Sequence, residues 1–328
     1  MKILVIGFGS IGKRHTENIL SLGYHDVAVI SNKEKLDEKF KAVKIYKTIA
    51  NAFAENFFDA AFICTPTSKH IADLLLLLNY KVPNIYLEKP VSNDYSFIDE
   101  AIAQSNSYNA AITVGYDLHF HPCLQKAKEL INAKAIGKII SVNAFAGQHL
   151  SQWRPYEDYT QGTSAKKETG GGVLLDLIHE FDYLYWLLGD VETVMCNTIN
   201  TGTLKIETEE AADVLLKFAS DIIGSVHLDY LQPQLMRYCI FTGEQGNINI
   251  NLTENKVSTN INGTKNIFDF SDHVRNNRFI SIADSFLQNK NRHLQTTLSE
   301  GLKSLQIVLA AKRSTQTGCS VNIKDVVV

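Results

Sequence analysis

The chain has 328 residues, of which 45% are hydrophobic and 20% are charged, and its formal net charge is −3. Because one compact domain rarely grows to this length, the composition predicts a globular protein of two domains. The small net charge gives no electrostatic reason to expect nucleic acid or an anionic membrane as a partner. The longest internal apolar run, residues 74–78, is also too short to span a bilayer.

The cysteines and the N-terminus bear on location. The five cysteines are scattered and form no CxxC pair, which favours reduced thiols. The opening MKILVIGFGSIG breaks into glycines with no cleavage-type site, which argues against a signal peptide. We therefore expect a cytoplasmic protein.

The first third of the chain alternates short apolar runs with helical patterns. Continuously apolar runs are typical of parallel strands covered on both faces, and they occupy residues 3–7, 27–31, 60–64, 84–88 and 110–115. Helical patterns occupy residues 11–22, 68–80, 94–107 and 122–133. This alternation predicts a doubly wound parallel sheet of the Rossmann type.

Beyond about residue 137 the pattern changes to a two-residue alternation. It runs through residues 137–150, 191–200, 212–219, 222–231, 237–243 and 247–251, and predicts an α+β domain with a large, mostly antiparallel open sheet. A polar loop, 151–169, and one helix, 172–188, separate its first two strands. Two further helices are expected at about 274–288 and 295–313. The predicted domains are 1–120 and 121–328.

The sequence GFGSIG lies between the first strand and the first helix. Gly7 permits a tight turn, Gly9 lets the backbone approach a pyrophosphate, and Gly12 allows the helix to pack on the strand. The helix N-terminus, with its unpaired N–H groups and positive dipole end, favours the phosphates. The loop therefore predicts a dinucleotide site.

The end of the second strand bears on which dinucleotide binds. A carboxylate there would hold a free ribose 2′-hydroxyl, but this chain has Ser31, Asn32 and Lys33. These groups suit a 2′-phosphate, and Lys13 and Arg14 add positive charge nearby. The pattern favours NADP over NAD, although Ser31 could also bind a plain ribose.

Five motifs follow one another along the chain: GFGSIGKRH (7–15), CTPTSKH (64–70), LEKPVS (87–92), VGYDLHFHP (114–122) and GGGVLLDLIHEFDYLYWLLGD (170–190). In this order the sequence resembles the Gfo/Idh/MocA family of glucose-fructose oxidoreductases and inositol dehydrogenases over essentially its whole length. The resemblance implies that a nicotinamide cofactor and a sugar-like substrate meet between a Rossmann domain and an antiparallel domain. It also implies a homodimer or homotetramer formed through the antiparallel sheet.

The resemblance implies a set of cofactor-binding residues. They are Gly7, Gly9, Ser10, Ile11, Gly12, Arg14, Ser31, Asn32, Lys33, Thr65, Pro66, His70, Glu88 and Lys89. Taken without the family, His70 is a histidine at a helix start.

Lys89 matches the family's catalytic lysine. It is expected at the carboxyl end of a parallel strand, where ligands of open α/β sheets bind. A lysine beside a nicotinamide ring can hydrogen-bond a substrate hydroxyl and ease its deprotonation. The alternative is a surface lysine at a strand end. By resemblance, the bond before Pro90 is expected to be cis.

The stretch VGYDLHFHP departs from the family, which often reads YN-x-R-F-x-P. Asp117 replaces the Asn, and His119 replaces the Arg that commonly holds a substrate group. Tyr116 and His119 are expected to contact the substrate here. His119 and His121 alternate like a metal pair, but no Cys or carboxylate cluster supports them, so no metal is expected.

The loop 147–172 is dense in aromatic and hydrogen-bonding groups. Trp153 could stack on a sugar face, and Arg154 and Lys166 could hold a carboxylate or phosphate. The alternative is a lid or interface loop with solvated lysines. The WRP–x–x–DY stretch resembles a subgroup associated with bacterial surface-sugar pathways.

The stretch LLDLIHEFD carries the remaining candidates. On one continuous helix, Asp176, His179 and Glu180 share a polar face and Asp182 lies off it. The family spacing is Asp–x–x–x–His–x–x–Asp, so Asp176 stands one residue too close to His179. His179 is expected to be the general acid/base, assisted by Asp176 or by Glu180.

These observations predict an NAD(P)-dependent dehydrogenase or reductase acting on a CH–OH group of a sugar, amino sugar, sugar acid or polyol. Two alternatives stay open. One is an NAD(P)-binding regulator without catalysis, which should lack Lys89 or His179. The other is an NAD-dependent glycosidase of the same fold, in which no reduced cofactor accumulates.

Overall fold

The computed structural model describes residues 1–326, which form two compact units. The first unit contains residues 1–117 and 275–301, and the second contains residues 118–274 and 302–326. The sequence assigned 275–301 to the second domain. The structure differs because the helix at 275–288 packs on the first helix of the chain.

The strands and helices are numbered along the chain. The strands are β1 (Ile3–Ile6), β2 (Val27–Ile30), β3 (Lys44–Tyr46), β4 (Ala60–Ile63), β5 (Asn84–Leu87), β6 (Ala111–Val114), β7 (Ile139–Gly147), β8 (Val191–Ile199), β9 (Ala211–Phe218), β10 (Ile223–Asp229), β11 (Met236–Gly243), β12 (Gly246–Asn251), β13 (Lys256–Ile261), β14 (Thr264–Asp269), β15 (Thr296–Thr297) and β16 (Val321–Asn322). The α-helices are α1 (Ser10–Ser21), α2 (Ile49–Glu55), α3 (His70–Asn79), α4 (Ile98–Tyr108), α5 (Pro122–Asn132), α6 (Val173–Asp176), α7 (His179–Leu188), α8 (Arg275–Gln288) and α9 (Leu298–Thr317).

The first unit is built on a seven-stranded sheet in the order β15–β6–β5–β4–β1–β2–β3. Strands β1 to β6 are parallel, and only β15 runs antiparallel, against β6. All four residues of β1 and of β4 are buried, as expected for strands covered on both faces. The predicted doubly wound sheet is confirmed. Its order reverses at β1, and ligands bind at the carboxyl ends of strands beside such a point.

Two short elements of the first unit, β3 and α2, are not predicted by the sequence. Strand β3 has three residues, of which only Tyr46 is buried, so it shows no apolar run. Helix α2 has seven residues and is preceded by its N-cap Thr48, whose side chain accepts a hydrogen bond from the Asn51 N–H.

The second unit is built on a nine-stranded sheet in the order β14–β13–β12–β11–β7–β10–β9–β8–β16. Every neighbouring pair is antiparallel except β7 and β10. In β9, buried Val214 and Leu216 alternate with exposed Asp213, Leu215 and Lys217, so one sheet face is covered and the other open. The predicted, mostly antiparallel sheet is confirmed.

The expected single helix at 172–188 is wrong. The structure has two helices, α6 and α7, separated at Leu177 and Ile178, where Leu177 adopts φ −97° and ψ 24°. This break changes the direction of every side chain after Asp176 relative to a continuous helix. The two C-terminal helices, α8 and α9, lie close to where the sequence predicts them.

None of the helices within residues 1–326 is long and apolar enough to cross a membrane.

Candidate active site

In the glycine loop between β1 and α1, two of the three glycines lie against other backbone atoms and one faces open space. A Cβ at Gly7, which has φ +90°, would lie 2.7 Å from the Cys64 carbonyl oxygen, and one at Gly12 would overlap the Gly7 carbonyl. By contrast, no described atom outside residues 8–10 lies within 4 Å of a Cβ built at Gly9. The loop therefore leaves space only in front of Gly9, where a pyrophosphate needs to approach the backbone.

The start of α1 also fits an anion. The helix begins at Ser10, with Gly9 as its N-cap, and within the described chain no side chain caps it and no acidic residue lies in its first turn. The N–H groups and positive dipole end of a helix favour a phosphate at such a position. Ser10, Ile11 and Gly12 form this first turn. The residues present therefore fit the nucleotide that the sequence predicts.

The loop after β2 is shaped by a lysine that the sequence analysis did not single out. The Lys47 ammonium donates to the carbonyl oxygens of Asn32 (3.1 Å) and Lys33 (3.2 Å) and pairs with Glu34 (2.9 Å). The Lys33 N–H donates to the Ser31 hydroxyl (3.2 Å). Ser31, Asn32 and Lys33 thus form one ordered turn.

The two basic residues after the glycine loop already have partners. The Lys13 ammonium lies 3.1 Å from an Asp37 carboxylate oxygen and lowers the pKa of that carboxyl group. The Arg14 guanidinium lies 4.6 Å from the centre of the Phe279 ring. Asp37 therefore balances the charge of Lys13, whereas the Phe279 ring orients the Arg14 guanidinium and leaves its charge in place.

Lys89 lies in a turn directly after β5. The Glu88 carboxylate is 7% exposed, and one of its oxygens accepts the Lys89 N–H at 3.2 Å. The other oxygen lies 2.7 Å from His15 Nε2, and the His15 ring is fully buried beside Tyr86. The bond between Lys89 and Pro90 is cis, as the resemblance implied.

A second histidine joins this turn to the loop after β4. His70 Nδ1 lies 2.7 Å from the Pro90 carbonyl oxygen, and its Nε2 lies 2.9 Å from the Thr65 carbonyl oxygen. Burial lowers the pKa of His70, which favours the neutral ring, and a neutral ring donates to only one of the two carbonyls. His70 thus contacts protein backbone with both nitrogens, and the Thr65 hydroxyl donates to Asp73 at 2.7 Å. Pro66 begins the short 3-10 turn that leads into α3.

The departure at Asp117 has a partner in α8. The Asp117 carboxylate is buried and forms an ion pair with the Arg278 guanidinium. Tyr116, next to it, is fully buried. An acidic residue in place of the family's Asn is thus explained by an arginine within the same unit.

In the second unit, Asp176 and Trp153 are brought together by Tyr230. The Tyr230 hydroxyl donates to Asp176 at 2.6 Å, and its ring meets the Trp153 ring edge to face with centres 5.4 Å apart. The Trp153 indole N–H donates to the Gln148 carbonyl at 3.3 Å. Asp176 remains partly exposed. The shortened spacing therefore leaves this carboxylate oriented and accessible.

The two acidic residues that follow His179 have partners inside the second unit. Glu180 is fully buried and lies 2.5 Å from the Arg237 guanidinium, and Asp182 lies 2.9 Å from His119 Nε2. His179 begins α7 and stays partly exposed. The expectation that Glu180 shares an open polar face with His179 is wrong, because the helix break turns Glu180 inward.

His119 has a packing position, which differs from the expected substrate contact. Its ring is 3% exposed and stacks on Trp186 with centres 4.3 Å apart and planes at 14°. The Lys128 ammonium lies 3.6 Å from the centre of the same Trp186 ring. The imidazole that replaces the family's arginine thus helps to hold α7 in place.

The loop 151–169 forms a series of 3-10 turns. Arg154 is partly exposed and lies 3.7 Å from Glu157. Lys166 accepts the Gly171 N–H through its backbone carbonyl at 3.1 Å, which leaves its side chain outside that contact. Arg154 and Lys166 stay predictions as substrate contacts. In the described part of the chain, no group of three His, Cys, Asp or Glu side chains could hold a metal ion.

Comparison with known families decides the relationship. The family model described as "Oxidoreductase family, NAD-binding Rossmann fold" matches residues 1–116, and the one described as "GFO/IDH/MocA C-terminal domain" matches residues 124–249. Together they cover well over half of the chain. The chain belongs to the Gfo/Idh/MocA family.

The sequence identity to individual known proteins is low, between 20% and 24% for the three that follow. A myo-inositol 2-dehydrogenase of Thermotoga maritima is 24% identical over the full length of both chains. A 2,7-anhydro-N-acetylneuraminate hydratase of Escherichia coli is 23% identical over 79% of this chain and 70% of its own. The WlbA dehydrogenase of Bordetella pertussis, solved with NADH and UDP-GlcNAcA, superposes with a TM-score of 0.80 at 20% identity, covering 98% of this chain and 97% of its own.

Besides Lys47, the sequence did not single out three further residues of this family member, and two of them, His15 and Arg237, left a signal. His15 stands three residues after Gly12, on the helix face that packs against the sheet. Arg237 lies on the same face of β11 as buried Cys239, two residues further along the strand. Tyr230 directly follows β10, so its hydroxyl could only be assigned once the fold was known. Polar residues at positions that periodicity assigns to the core were the useful indication.

Proposed function

We propose that this member of the NAD-binding oxidoreductase family transfers a hydride between a nicotinamide ring and a hydroxyl or carbonyl group of a sugar, amino sugar, sugar acid or polyol. The observation that carries the proposal is the turn Glu88–Lys89–Pro90. It follows β5 at the carboxyl edge of the sheet, and buried side chains anchor it on both sides of Lys89. The relatives named for inositol and for UDP-GlcNAcA support a polyhydroxylated substrate.

The proposed chemistry divides between cofactor and protein. When bound, the nicotinamide supplies or accepts the hydride. Lys89 hydrogen-bonds the reacting hydroxyl, and His179 takes its proton as the carbon is oxidised and returns it in the reverse direction. An imidazole suits this task because it titrates near neutral pH. Asp176, oriented by Tyr230, holds a substrate hydroxyl or His179.

The loop residues give the proposal its substrate class. Trp153 would stack on the apolar face of a sugar ring, and Arg154 and Lys166 would hold a carboxylate or phosphate. A substrate with an anionic group, such as a sugar acid or nucleotide sugar, fits this set. We place the reaction in bacterial surface-sugar metabolism because the WRP–x–x–DY stretch resembles that subgroup, and in the cytoplasm, where the five free thiols remain reduced.

The test is a panel of sugars, sugar acids, polyols and nucleotide sugars with NAD and with NADP, followed at the absorbance of the reduced cofactor. Lys89→Met should lower kcat on the active substrate at least about 100-fold, and His179→Ala should abolish the acid limb of the pH–rate profile. Lys41→Met, at an exposed position of the first unit, is the matched control. Wild-type turnover by Lys89→Met would contradict the assignment.

We propose NADP rather than NAD as the preferred cofactor, on the chemistry of Ser31, Asn32 and Lys33. Lys33→Glu should weaken NADPH binding about 10-fold and leave NADH binding nearly unchanged, because it places a negative charge beside a 2′-phosphate. Lys35→Glu makes the same charge change at a nearby exposed lysine and serves as control. Tighter binding of NADH than of NADPH by the wild type would overturn the preference.

A second candidate reaction is one without net redox change, as in a hydratase or an NAD-dependent glycosidase. The similarity to a hydratase of Escherichia coli favours including it. Such an enzyme would convert its substrate with a trace of cofactor and accumulate no reduced cofactor. Mass analysis of products beside the absorbance assay separates the two reactions. A regulator without catalysis is disfavoured, because both Lys89 and His179 are present.

We also propose that the chain forms a homodimer or homotetramer through the exposed face of the antiparallel sheet. This face carries apolar side chains that a monomer would leave in water, among them Met195 (42% exposed), Leu215 (58%) and Ile223 (61%). Light scattering after size exclusion should give a multiple of 36.7 kDa for the wild type. Leu215→Lys should shift it toward the monomer, and Leu235→Lys, outside the strands, should not.

A further inference from the structure

The turn that carries Lys89 is held by two buried histidines from different helices. His15 belongs to α1, which follows the glycine loop, and His70 begins α3, which follows the Thr65–Pro66 loop. Both loops belong to the predicted cofactor site. The turn between them is therefore connected to each loop through one imidazole.

On the first side, His15 meets the carboxylate that supports Lys89. Its Nε2 lies 2.7 Å from Glu88, so this nitrogen carries the hydrogen, and Glu88 in turn accepts the Lys89 N–H. The His15 ring is packed by Phe62, with ring centres 5.4 Å apart, and by Phe279, with centres 6.2 Å apart. Aromatic rings packed at these distances hold the plane of the imidazole. The His15 ring therefore has little freedom to move if the Glu88 carboxylate shifts.

On the second side, His70 meets the backbone just past Lys89. Its two nitrogens lie between the carbonyl oxygens of Pro90 and Thr65, and the ring is 1% exposed. Nδ1 faces the Pro90 carbonyl and Nε2 faces the Thr65 carbonyl, so a neutral ring donates to one of the two while its rigid imidazole fixes the spacing between both backbones. This contact joins the position of the Lys89 turn to that of the Thr65 loop.

We propose that His15 and His70 are positioning residues that hold the Lys89 ammonium where the reaction needs it and link that position to the two cofactor-binding loops. The inference rests on the proposed role of Lys89. Neither histidine touches the reacting atoms. Misplacement of a catalytic group by about 1 Å can cost about 100-fold in rate, so an effect through Lys89 is measurable.

The experiment compares His15→Phe and His70→Phe with His15→Gln and His70→Gln in the full-length protein. Phe keeps the ring volume and removes the hydrogen bond, whereas the Gln amide can still donate to Glu88 or to Pro90. His25→Gln, at an exposed position of the first unit, is the control. The first readout is the acetylation rate of Lys89 by mass spectrometry, with exposed Lys41 as the internal standard, without cofactor and with saturating NADH or NADPH.

We expect the Phe variants to change the acetylation rate of Lys89 at least threefold, to lose most of the protection of Lys89 by cofactor, and to leave the rate of Lys41 unchanged. The Gln variants should stay within twofold of the wild type. On an active substrate, kcat should fall 10- to 100-fold in the Phe variants, while the Kd for the cofactor changes less than threefold. Wild-type labelling in folded Phe variants would overturn the proposal, as would equal losses of cofactor affinity and turnover.

Two further outcomes are also decisive. If a Phe variant does not fold, Gln is compared with Asn, whose shorter amide does not reach the acceptor, and equal labelling in both would reject the positioning role. If no substrate is turned over by the wild type, the proposed function fails, but the labelling still tests whether the two histidines set the position of Lys89.

Discussion

At the scale of single residues, the pair Glu180–Arg237 carries the clearest energetic consequence. A carboxylate with no exposed surface is tolerated because a guanidinium lies 2.5 Å away. Arg237→Met should lower the free energy of unfolding by about 3–5 kcal/mol, since it leaves the charge buried without its partner. The double variant Glu180→Leu/Arg237→Met should recover most of that loss. Urea unfolding measures both.

The control for this pair is Lys303→Met. Lys303 lies 3.1 Å from Asp190 at the surface of the second unit, where both side chains are about half exposed. Removing an exposed partner should change the free energy of unfolding by about 0–1 kcal/mol. A similar small effect of Arg237→Met would show that Glu180 does not need the guanidinium.

Alanine substitutions at two glycines of the glycine loop should distinguish an effect on cofactor binding from an effect on stability. Gly9→Ala should leave the unfolding free energy nearly unchanged, because its φ of −76° suits alanine and its Cβ meets no described atom. The same change should weaken cofactor binding at least about 10-fold, since the Cβ occupies the space for the pyrophosphate. Calorimetric titration with NADPH and NADH checks it.

Gly12→Ala is the matched opposite case. Its Cβ would overlap the Gly7 carbonyl, so the loop must move, and stability should fall by about 1–3 kcal/mol together with binding. Equal stabilities of the two alanine variants would contradict this account of the loop.

At the scale of elements, the sequence predicted what periodicity encodes and missed what tertiary contacts decide. The parallel strands were found because their residues are apolar throughout, and β9 because buried and exposed residues alternate. The break at Leu177 was missed because nothing in LLDLIHEFD interrupts a helical pattern. It is fixed by partners far along the chain, Tyr230 for Asp176 and Arg237 for Glu180, which no local pattern reveals.

The candidate site divides in the same way. Lys89, His179, Asp176 and the glycine loop were identifiable from motif and position. His15 was not singled out, since its role depends on a carboxylate 73 residues away in sequence. His119 was given a substrate contact because its position matched the family's arginine, and the stacked Trp186 that encloses it became visible only with α7 in place.

The entry into α6 depends on one glycine. Gly172 has φ +114°, and a Cβ there would overlap the Glu209 carboxylate. Gly172→Ala should cost about 1–3 kcal/mol for the backbone and about 1–3 kcal/mol more for the overlap. Gly189→Ala, at φ +87° with open space around its Cβ among the described atoms, should cost only the first amount. Thermal and urea unfolding of both variants measure the difference.

At the scale of the whole molecule, His227 gives the stability a pH dependence. Hydrogen bonds to Asp229 (3.1 Å) and Asp213 (2.8 Å) raise the pKa of His227 from its ordinary 6.5 to about 9, and its ring stacks on Phe145. A histidine whose folded pKa is raised stabilises the protein fully below pH 6.5 and loses that contribution as the pH rises through 9.

The wild type should therefore lose about 1 kcal/mol more than His227→Gln between pH 6.5 and pH 10, a modest amount because Asp213 is largely exposed. Urea unfolding at the two pH values measures it, with His25→Gln as the control. Parallel pH dependence in the wild type and His227→Gln would show that the two carboxylates do not hold the imidazolium.

The composition of the first unit also has a consequence for the order of events during synthesis. Strand β15 and helix α8 belong to the first unit, yet they are encoded after all the strands from β7 to β14. After residue 117, more than 150 further residues must therefore be synthesised before β6 can pair with β15 and α1 can pack on α8. Until then the nascent nucleotide-binding half exposes an unpaired strand edge, so a stop before residue 275 would release a chain prone to aggregate rather than a smaller working domain.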